Sequence, residues 1–178
     1  MQARRVVAGH AADGKSVFVS DETIEPVTLA LLPGAEFHQL WARDATASIP
    51  GDTTTTRHPS YFPAVGGFRF GFFTLGPESV ASPADIDIEA ALHELNEKLP
   101  GMAEVMEPEH PGMHTTDTID FDIVISGEVW LELDDGAEVQ LRVGDSVIQN
   151  GTRHAWHNRS SQPCTLAVAI VGAARNPG

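Results

Sequence analysis

The strongest constraint on this chain lies in its last third, where six short apolar-rich runs follow one another at even spacing with turn residues between them. Residues 119–126, 128–133, 137–142, 146–149, 154–158 and 164–171 have the length and the β-branched and aromatic enrichment of strands. Asp135-Gly136, between the second and third runs, is hairpin chemistry, because both positions tolerate the positive φ that a tight turn requires. Strands at this spacing close into a barrel or a sandwich.

The first third repeats the pattern less regularly. Residues 4–8, 16–20, 27–32 and 36–41 read as strands, with Asp13-Gly14 and Pro33-Gly34 as the turns between neighbours. From 44 to 67 the composition turns to Thr, Pro, Gly and Ser, including four consecutive threonines from Thr53 to Thr56, and predicts a loop longer than the usual 12–15 residue ceiling of about that size. Strand character resumes at 68–75, where Phe68, Phe70 and Phe72 share one face and Arg69 takes the other.

One helix is legible. Ser82-Pro83-Ala84-Asp85 is a helix-start signature, Ile88, Ala91, Leu92, Leu95 and Leu99 recur at spacings of three and four, and Pro100-Gly101 ends the run. His93 lies at the edge of that stripe while Glu94, Glu97 and Lys98 face water, so the helix covers a sheet. Trp130, Phe121, Ile123 and Ile125 read as core. The expected class is all-β with one or two short helices, one structural domain in two parts. Residues 1–104 supply strands, loop and helix; residues 105–174 form the barrel core.

Charge narrows the function. Eleven Lys+Arg against 25 Asp+Glu give a formal charge of −14, which repels phosphate backbones and anionic lipid unless a local basic patch exists; the one basic pair is Arg4-Arg5, so nucleic-acid binding is disfavoured. No run approaches the ~18 apolar residues of a membrane span, and the amino terminus lacks the apolar stretch of a signal peptide. The single cysteine, Cys164, forbids an intrachain disulfide and a multi-Cys zinc site; its expected role is that of a small buried hydrophobe, in a cytoplasmic protein.

Histidines and a carboxylate crowd the entry to the first strand of the last third. In an extended segment His114, Thr116, Thr118 and Asp120 point to one face, inward in a barrel, and by the same parity His154, Trp156 and Asn158 share a face with His157 opposite. His110 sits before Pro111-Gly112 and reads as a solvent-exposed loop residue; Trp156 is either core or a pocket wall beside His154.

These spacings resemble the cupin superfamily, whose motifs are G-x5-H-x-H-x3/4-E-x6-G and G-x5-P-x-G-x2-H-x3-N. His114-x-Thr116, three residues, Asp120, six residues and Gly127 follow the first; Gly144, Gly151, two residues, His154, three residues and Asn158 follow the second with one residue fewer after Gly144. The resemblance covers about residues 105 to 172 and implies a single cupin-type β-barrel, or jelly roll, with extra amino-terminal strands. Thr116 stands where the second histidine is usual, Asp120 where glutamate is and Gln149 where proline is. Carried over residue by residue, the family's metal site leaves His114, Asp120 and His154, a two-histidine, one-carboxylate set that keeps coordination positions open on iron, manganese, nickel or zinc. Thr116, Trp156, Asn158 and His110 are the candidate pocket residues around it. Within the superfamily the chain looks like a group of small single-barrel proteins that includes decarboxylases near polyketide or aromatic pathways.

The resemblance implies a metal-binding protein acting on a small organic acid, with decarboxylase or lyase chemistry first, an Fe(II)-dependent dioxygenase second and a non-catalytic small-molecule-binding barrel third. Arg153 and Arg57 are the cations available to a substrate carboxylate. Edge strands in the first third suit pairing with a second copy, so a homodimer is expected.

Overall fold

A computed structural model describes residues 2–51, 53, 58–80 and 85–176. Eleven strands and two short α-helices run in the order β1 (Ala3–His10), β2 (Ser16–Ile24), β3 (Val27–Leu29), β4 (Leu32–Arg43), β5 (Phe68–Leu75), α1 (Ile88–Lys98), α2 (Met102–Val105), β6 (Thr118–Ser126), β7 (Glu128–Glu132), β8 (Glu138–Arg142), β9 (Ser146–Asn150), β10 (Ala155–His157) and β11 (Cys164–Gly172). They make a six-stranded antiparallel sheet ordered β3-β4-β5-β11-β6-β9, a three-stranded sheet ordered β10-β7-β8, and a separate β1-β2 hairpin. This is the cupin barrel, or jelly roll, that the sequence resemblance implies.

The core lies between the two larger sheets. Val124 from β6, Val129 and Leu131 from β7, Leu141 from β8 and Cys164 and Leu166 from β11 pack into one cluster, backed by Phe73 and Trp156. A second cluster, centred on Leu29, Phe37, Leu95 and Leu99, seats α1 against β3 and β4. Every one of these residues comes from alternate positions of a strand or from one face of α1, which is why period alone places most elements.

Turn chemistry explains the corners. Asp135 and Gly136 adopt φ of 58° and 70° in a 3-10 turn between β7 and β8, and Gly14 adopts 83° at the β1-β2 corner with its N–H donated to the Ala11 carbonyl. Gly127 joins β6 to β7 at φ 74°, and a Cβ there would lie 2.5 Å from the Pro163 carbonyl oxygen. Only glycine fits such a corner.

Several expectations are corrected. Pro33-Gly34 is not a turn: both residues lie inside β4, where Gly34 lets the chain pass Gly76 at close range, and the reversal falls three residues earlier, at Ala30-Leu31. The capping residue of α1 is Asp87, whose Oδ1 accepts from the Ala90 N–H at 3.1 Å; Ser82, Pro83 and Ala84 lie outside the described residues. Ile88 and Leu92 are largely exposed, so the buried stripe is Ala91, Leu95 and Leu99. Glu94 and Lys98 do not merely face water. They form an ion pair while Glu94 accepts from the Ala30 N–H and Lys98 donates to the Thr28 carbonyl, tying α1 to β3.

The largest correction concerns β6. Thr118, Asp120, Asp122 and Val124 face inward, and strand alternation then turns Phe121, Ile123 and Ile125 outward, where they are 38–46% exposed. Trp130 likewise lies on the outer face of its sheet, under the Arg159 guanidinium.

The expected long loop leaves β4 at Arg43 and reaches β5 at Phe68. Arg69 pins it: the guanidinium is buried and donates to the carbonyls of Ser60 and Tyr61 and to Asp44 Oδ1, while Asp44 Oδ2 holds His58 Nδ1 at 2.7 Å. Of that segment, Asp52 and residues 54–57, Arg57 among them, lie outside the described residues.

Candidate metal centre

Two backbone hydrogen bonds build the centre. His114 N donates to the His154 carbonyl at 2.9 Å and His154 N to the His114 carbonyl at 3.0 Å, an isolated antiparallel bridge between the segment entering β6 and the segment entering β10. Met106 flanks His114 on its other side. The two imidazoles stand with ring centres 4.2 Å apart, and Trp156 meets His154 edge-on at 6.1 Å.

Each ring is oriented by its own loop. His114 Nδ1 bonds the Gly112 carbonyl and His154 Nδ1 the Thr152 carbonyl, both at 3.0 Å. A carbonyl can only accept, so both Nδ1 atoms carry the proton and both Nε2 atoms present a bare lone pair, the tautomer a metal ligand needs. Burial pushes His114 below the ordinary imidazole range; burial, with the neighbouring His114 adding to it, pushes His154 down to about 4. Both rings are therefore neutral at pH 7 without competition from a proton.

The carboxylates lie farther along the same inward face. Burial raises Asp120 to about 6; burial, followed by the charge of Asp120, raises Asp122 to about 7. Asp120 Oδ1 is buried and has no hydrogen-bond partner, and the same is true of Nε2 of Gln149, which sits directly opposite Asp120 on β9. An orphaned acceptor facing an orphaned donor inside a barrel is a place for a polar guest rather than a finished network. Thr116 and Thr118 share a hydroxyl hydrogen bond of 2.7 Å beside them.

The donor types fit a divalent cation: two neutral imidazoles with free Nε2 and one unsatisfied carboxylate oxygen. Their placement fits through the histidines. Among the described residues, the one group of three donors gathered within 4.8 Å is Glu132, Glu138 and His157, so Asp120 does not converge with His114 and His154. That outer group is already engaged: Arg159 clamps Glu138, and His157 lies between Glu78 and Glu132 at 2.7 Å from each. It carried no sequence signal beyond parity, since Glu78 lies 79 residues away from His157.

The remaining candidate residues have distinct positions. His110 is exposed on the turn that leads into Met113. Thr116 is buried on the inward face and Trp156 is half-buried between His154 and the core. Asn158 is fully buried with its carboxamide spent on a turn, donating to the carbonyls of Leu75 and Gln162 and accepting from Ser160 N and Oγ. Arg153 is not free for a substrate. It grips Glu107 with two 2.7 Å bonds and Asp134 with a third at 2.9 Å, and so latches the segment before His114 to the one bearing His154. Cys164 is wholly buried, and burial pushes its thiol up to about 11, which leaves it inert.

With fold and centre in place, residues 102–171 match the family described as Cupin domain. The match takes in the segments that carry His114, Asp120 and His154. The chain is similar to Oryzines biosynthesis cluster protein J of Aspergillus oryzae, 34% identical over 60% of this chain and 65% of that one. It is also similar to the cupin-domain-containing oxidoreductase virC of Hypocrea virens, 26% identical over 86% of this chain and 66% of the relative. The chain thus spans just under two thirds of the length of these two relatives. Among solved structures, the Schizosaccharomyces pombe Cnp3 cupin domain overlays with a TM-score of 0.48 at 8% identity, covering 97% of this chain and 89% of that one. No helix among the described residues is long and apolar enough to cross a membrane.

Proposed function

We propose that this cupin binds a divalent metal through His114 and His154 and acts on a small organic acid by decarboxylase- or lyase-type chemistry. The observation that carries the reading is the pair itself: two neutral imidazoles, ring centres 4.2 Å apart, each with Nδ1 tied to a backbone carbonyl and Nε2 left bare. A bound cation would supply the positive charge that draws electrons from a substrate carboxylate or carbonyl and steadies the enolate left when carbon dioxide departs. The backbone bridge holds both rings before any ligand arrives. Thr116 and Thr118 offer hydroxyls, and Asp120 and Gln149 offer an acceptor and a donor, to the polar end of the acid. Val124, Leu131 and Leu166 close the barrel behind them and keep water from the reacting carbon.

A second reading, an Fe(II)-dependent dioxygenase, is supported by the relative named as an oxidoreductase, which matches 86% of this chain. The same histidines serve both.

Elemental analysis of untagged protein tests the centre, with His114→Ala and His154→Ala as comparisons. Metal near one equivalent in the native chain and lost in both variants is the expected result. No metal after reloading with iron, manganese, nickel or zinc would overturn the metalloenzyme reading and leave a binding barrel. Carbon dioxide release from β-keto and hydroxyaromatic acids under anaerobic conditions, against oxygen consumption in air, then separates lyase from dioxygenase.

A further inference from the structure

We infer that the barrel interior between Asp120 and Asp122 of β6 and Tyr61 of the loop before β5 is a subsite for the ammonium group of an amino acid, with Gln149 donating to the carboxylate beside it. The inference rests on the small-acid reading above and names the kind of acid, one that brings its own positive charge.

Loose ends meet there. Asp120 and Asp122 point inward and are 7% and 6% exposed. Asp120 Oδ1 accepts no hydrogen bond, and among the described residues no donor reaches the Asp122 carboxyl. Gln149, 4% exposed and directly opposite Asp120 on β9, spends Oε1 on the Thr152 hydroxyl and leaves Nε2 without an acceptor. Facing residues on paired strands hold their Cβ atoms about 4.5–5.5 Å apart, yet these two side chains do not bond each other. An acceptor and a donor therefore stand open on either side of one gap.

Tyr61 closes the other side. Its N–H donates to the Pro100 carbonyl at 2.7 Å, its carbonyl accepts from Arg69 Nε at 3.1 Å, and its ring meets Phe37 edge-on at 5.9 Å. The hydroxyl has no partner among the described residues. It lies in the field of both carboxyls: burial first, then the charges of Asp120 and Asp122, push it above the ordinary phenol range.

Charge decides the guest. Carboxyls gathered inside a barrel without a cation are costly. Arg69 occupies the same inward row as Asp120, two strands away across Ile170, but its five N–H groups are taken by Asp44 and by the carbonyls of Arg43, Ser60, Tyr61 and Phe68. A plain organic anion would meet the carboxyls with charge of their own sign. An ammonium brings three donors, enough for Asp120 Oδ1, the Asp122 carboxyl and the Tyr61 oxygen, and a carboxylate next to it suits Gln149 Nε2. A hydroxyl in its place brings one donor and no charge, so an amino acid fits where a hydroxy acid does not.

Calorimetric titration of the full chain, both metal-free and zinc-loaded, tests the subsite with two matched series: L-alanine, L-lactate and propionate, then L-phenylalanine, L-phenyllactate and 3-phenylpropionate. The amino member of at least one series should bind at least about tenfold tighter than its hydroxy and unsubstituted counterparts. Asp122→Asn should abolish that preference and Tyr61→Phe should reduce it severalfold, with zinc uptake unchanged in both. The melting temperature of Asp122→Asn should hold or rise, because a buried carboxyl without a partner has been removed. An Asp122→Asn chain that melts earlier and loses affinity for all three members alike would show a structural role and overturn the inference. So would amino members that bind no tighter than the others in both series, or the absence of binding by every probe. An amino preference on a chain that takes up no metal would sink the metal reading alone, and plain acids held by the zinc-loaded chain without an amino preference would sink the subsite alone. Should Asp122→Asn fail to fold, Tyr61→Phe decides: an undiminished amino preference overturns the proposal.

Discussion

His114 and His154 bond to each other through their backbones in both directions, at 2.9 and 3.0 Å, and it is this bridge that sets their rings 4.2 Å apart. The main chain, not side-chain packing, fixes the pair. A change of side chain nearby can therefore add to the centre without dismantling it.

Thr116→His is the direct case. Thr116 occupies the position where the superfamily's first motif carries its second histidine, and it is buried on the inward face two residues from His114. A third imidazole there should tighten metal binding by at least tenfold in chelator competition. The larger ring overfills a close-packed site and removes the 2.7 Å bond to Thr118, so thermal unfolding should show a loss of about 1–3 kcal/mol. Unchanged affinity in a folded variant would place the metal away from this face.

The Arg153 latch should act on the centre from outside. Arg153→Ala and Glu107→Gln each release the segment leading to His114 from the one bearing His154. Each should lower metal affinity by about tenfold, the lower end of what outer-shell partners contribute. The double variant should be no worse than Arg153→Ala alone, since Glu107→Gln removes an interaction that Arg153→Ala already removes. Additive losses would show that the two residues act separately.

How much of this could be read from the chain follows the range of the forces involved. The strand at 68–75 and the Asp135-Gly136 corner depend on alternation and local turn geometry, so they are where the sequence places them. His114 and His154 stand together because motif spacing encodes the barrel's register. Phe121, Ile123 and Ile125 read as core because hydrophobicity tells a strand that both faces are dry without telling it what covers the second one. Arg153 read as a free cation because its partners, Glu107 and Asp134, are 46 and 19 residues distant and charge complementarity has no period. The helix-start signature at Ser82-Pro83 differs from the observed cap, Asp87, because several residues of this stretch are good caps and the tertiary contacts of Glu94 and Lys98 decide where α1 begins.

The loop anchor carries a pH dependence. Burial works against the Asp44 carboxylate, yet the hydrogen bonds and charges of Arg69 and His58 together hold it below the usual carboxylate range. A carboxyl lowered in the folded state binds fewer protons there than when unfolded, so its stabilisation is full above the unfolded value near 4 and is lost as pH falls through the folded one. Asp44→Asn should cost about 1–2 kcal/mol at pH 7. The gap in melting temperature between native and variant should narrow as pH falls below the unfolded value and close once the folded carboxyl is protonated. A gap independent of pH would mean that the carboxylate's charge does not hold the loop.

The two motif glycines separate conformational strain from collision. Gly144 adopts φ 94° with nothing within 4 Å of the position a Cβ would take, whereas Gly127 adopts φ 74° with the Pro163 carbonyl oxygen 2.5 Å and the Cys164 Cα 2.9 Å from it. Gly144→Ala therefore meets only the left-handed penalty, about 1–2 kcal/mol. Gly127→Ala meets that penalty and a backbone it cannot push aside, because β11 begins at Cys164 and is hydrogen-bonded on both sides. Its cost should exceed that of Gly144→Ala by at least about 2 kcal/mol in denaturant unfolding. The corner also joins β6, which carries Asp120, to β7, which pairs with the strand after His154, so metal affinity should fall in Gly127→Ala and hold in Gly144→Ala. Equal costs for the two substitutions would show that the β6-β7 corner relaxes away from Pro163, and that the close approach there is not what positions the strands of the centre.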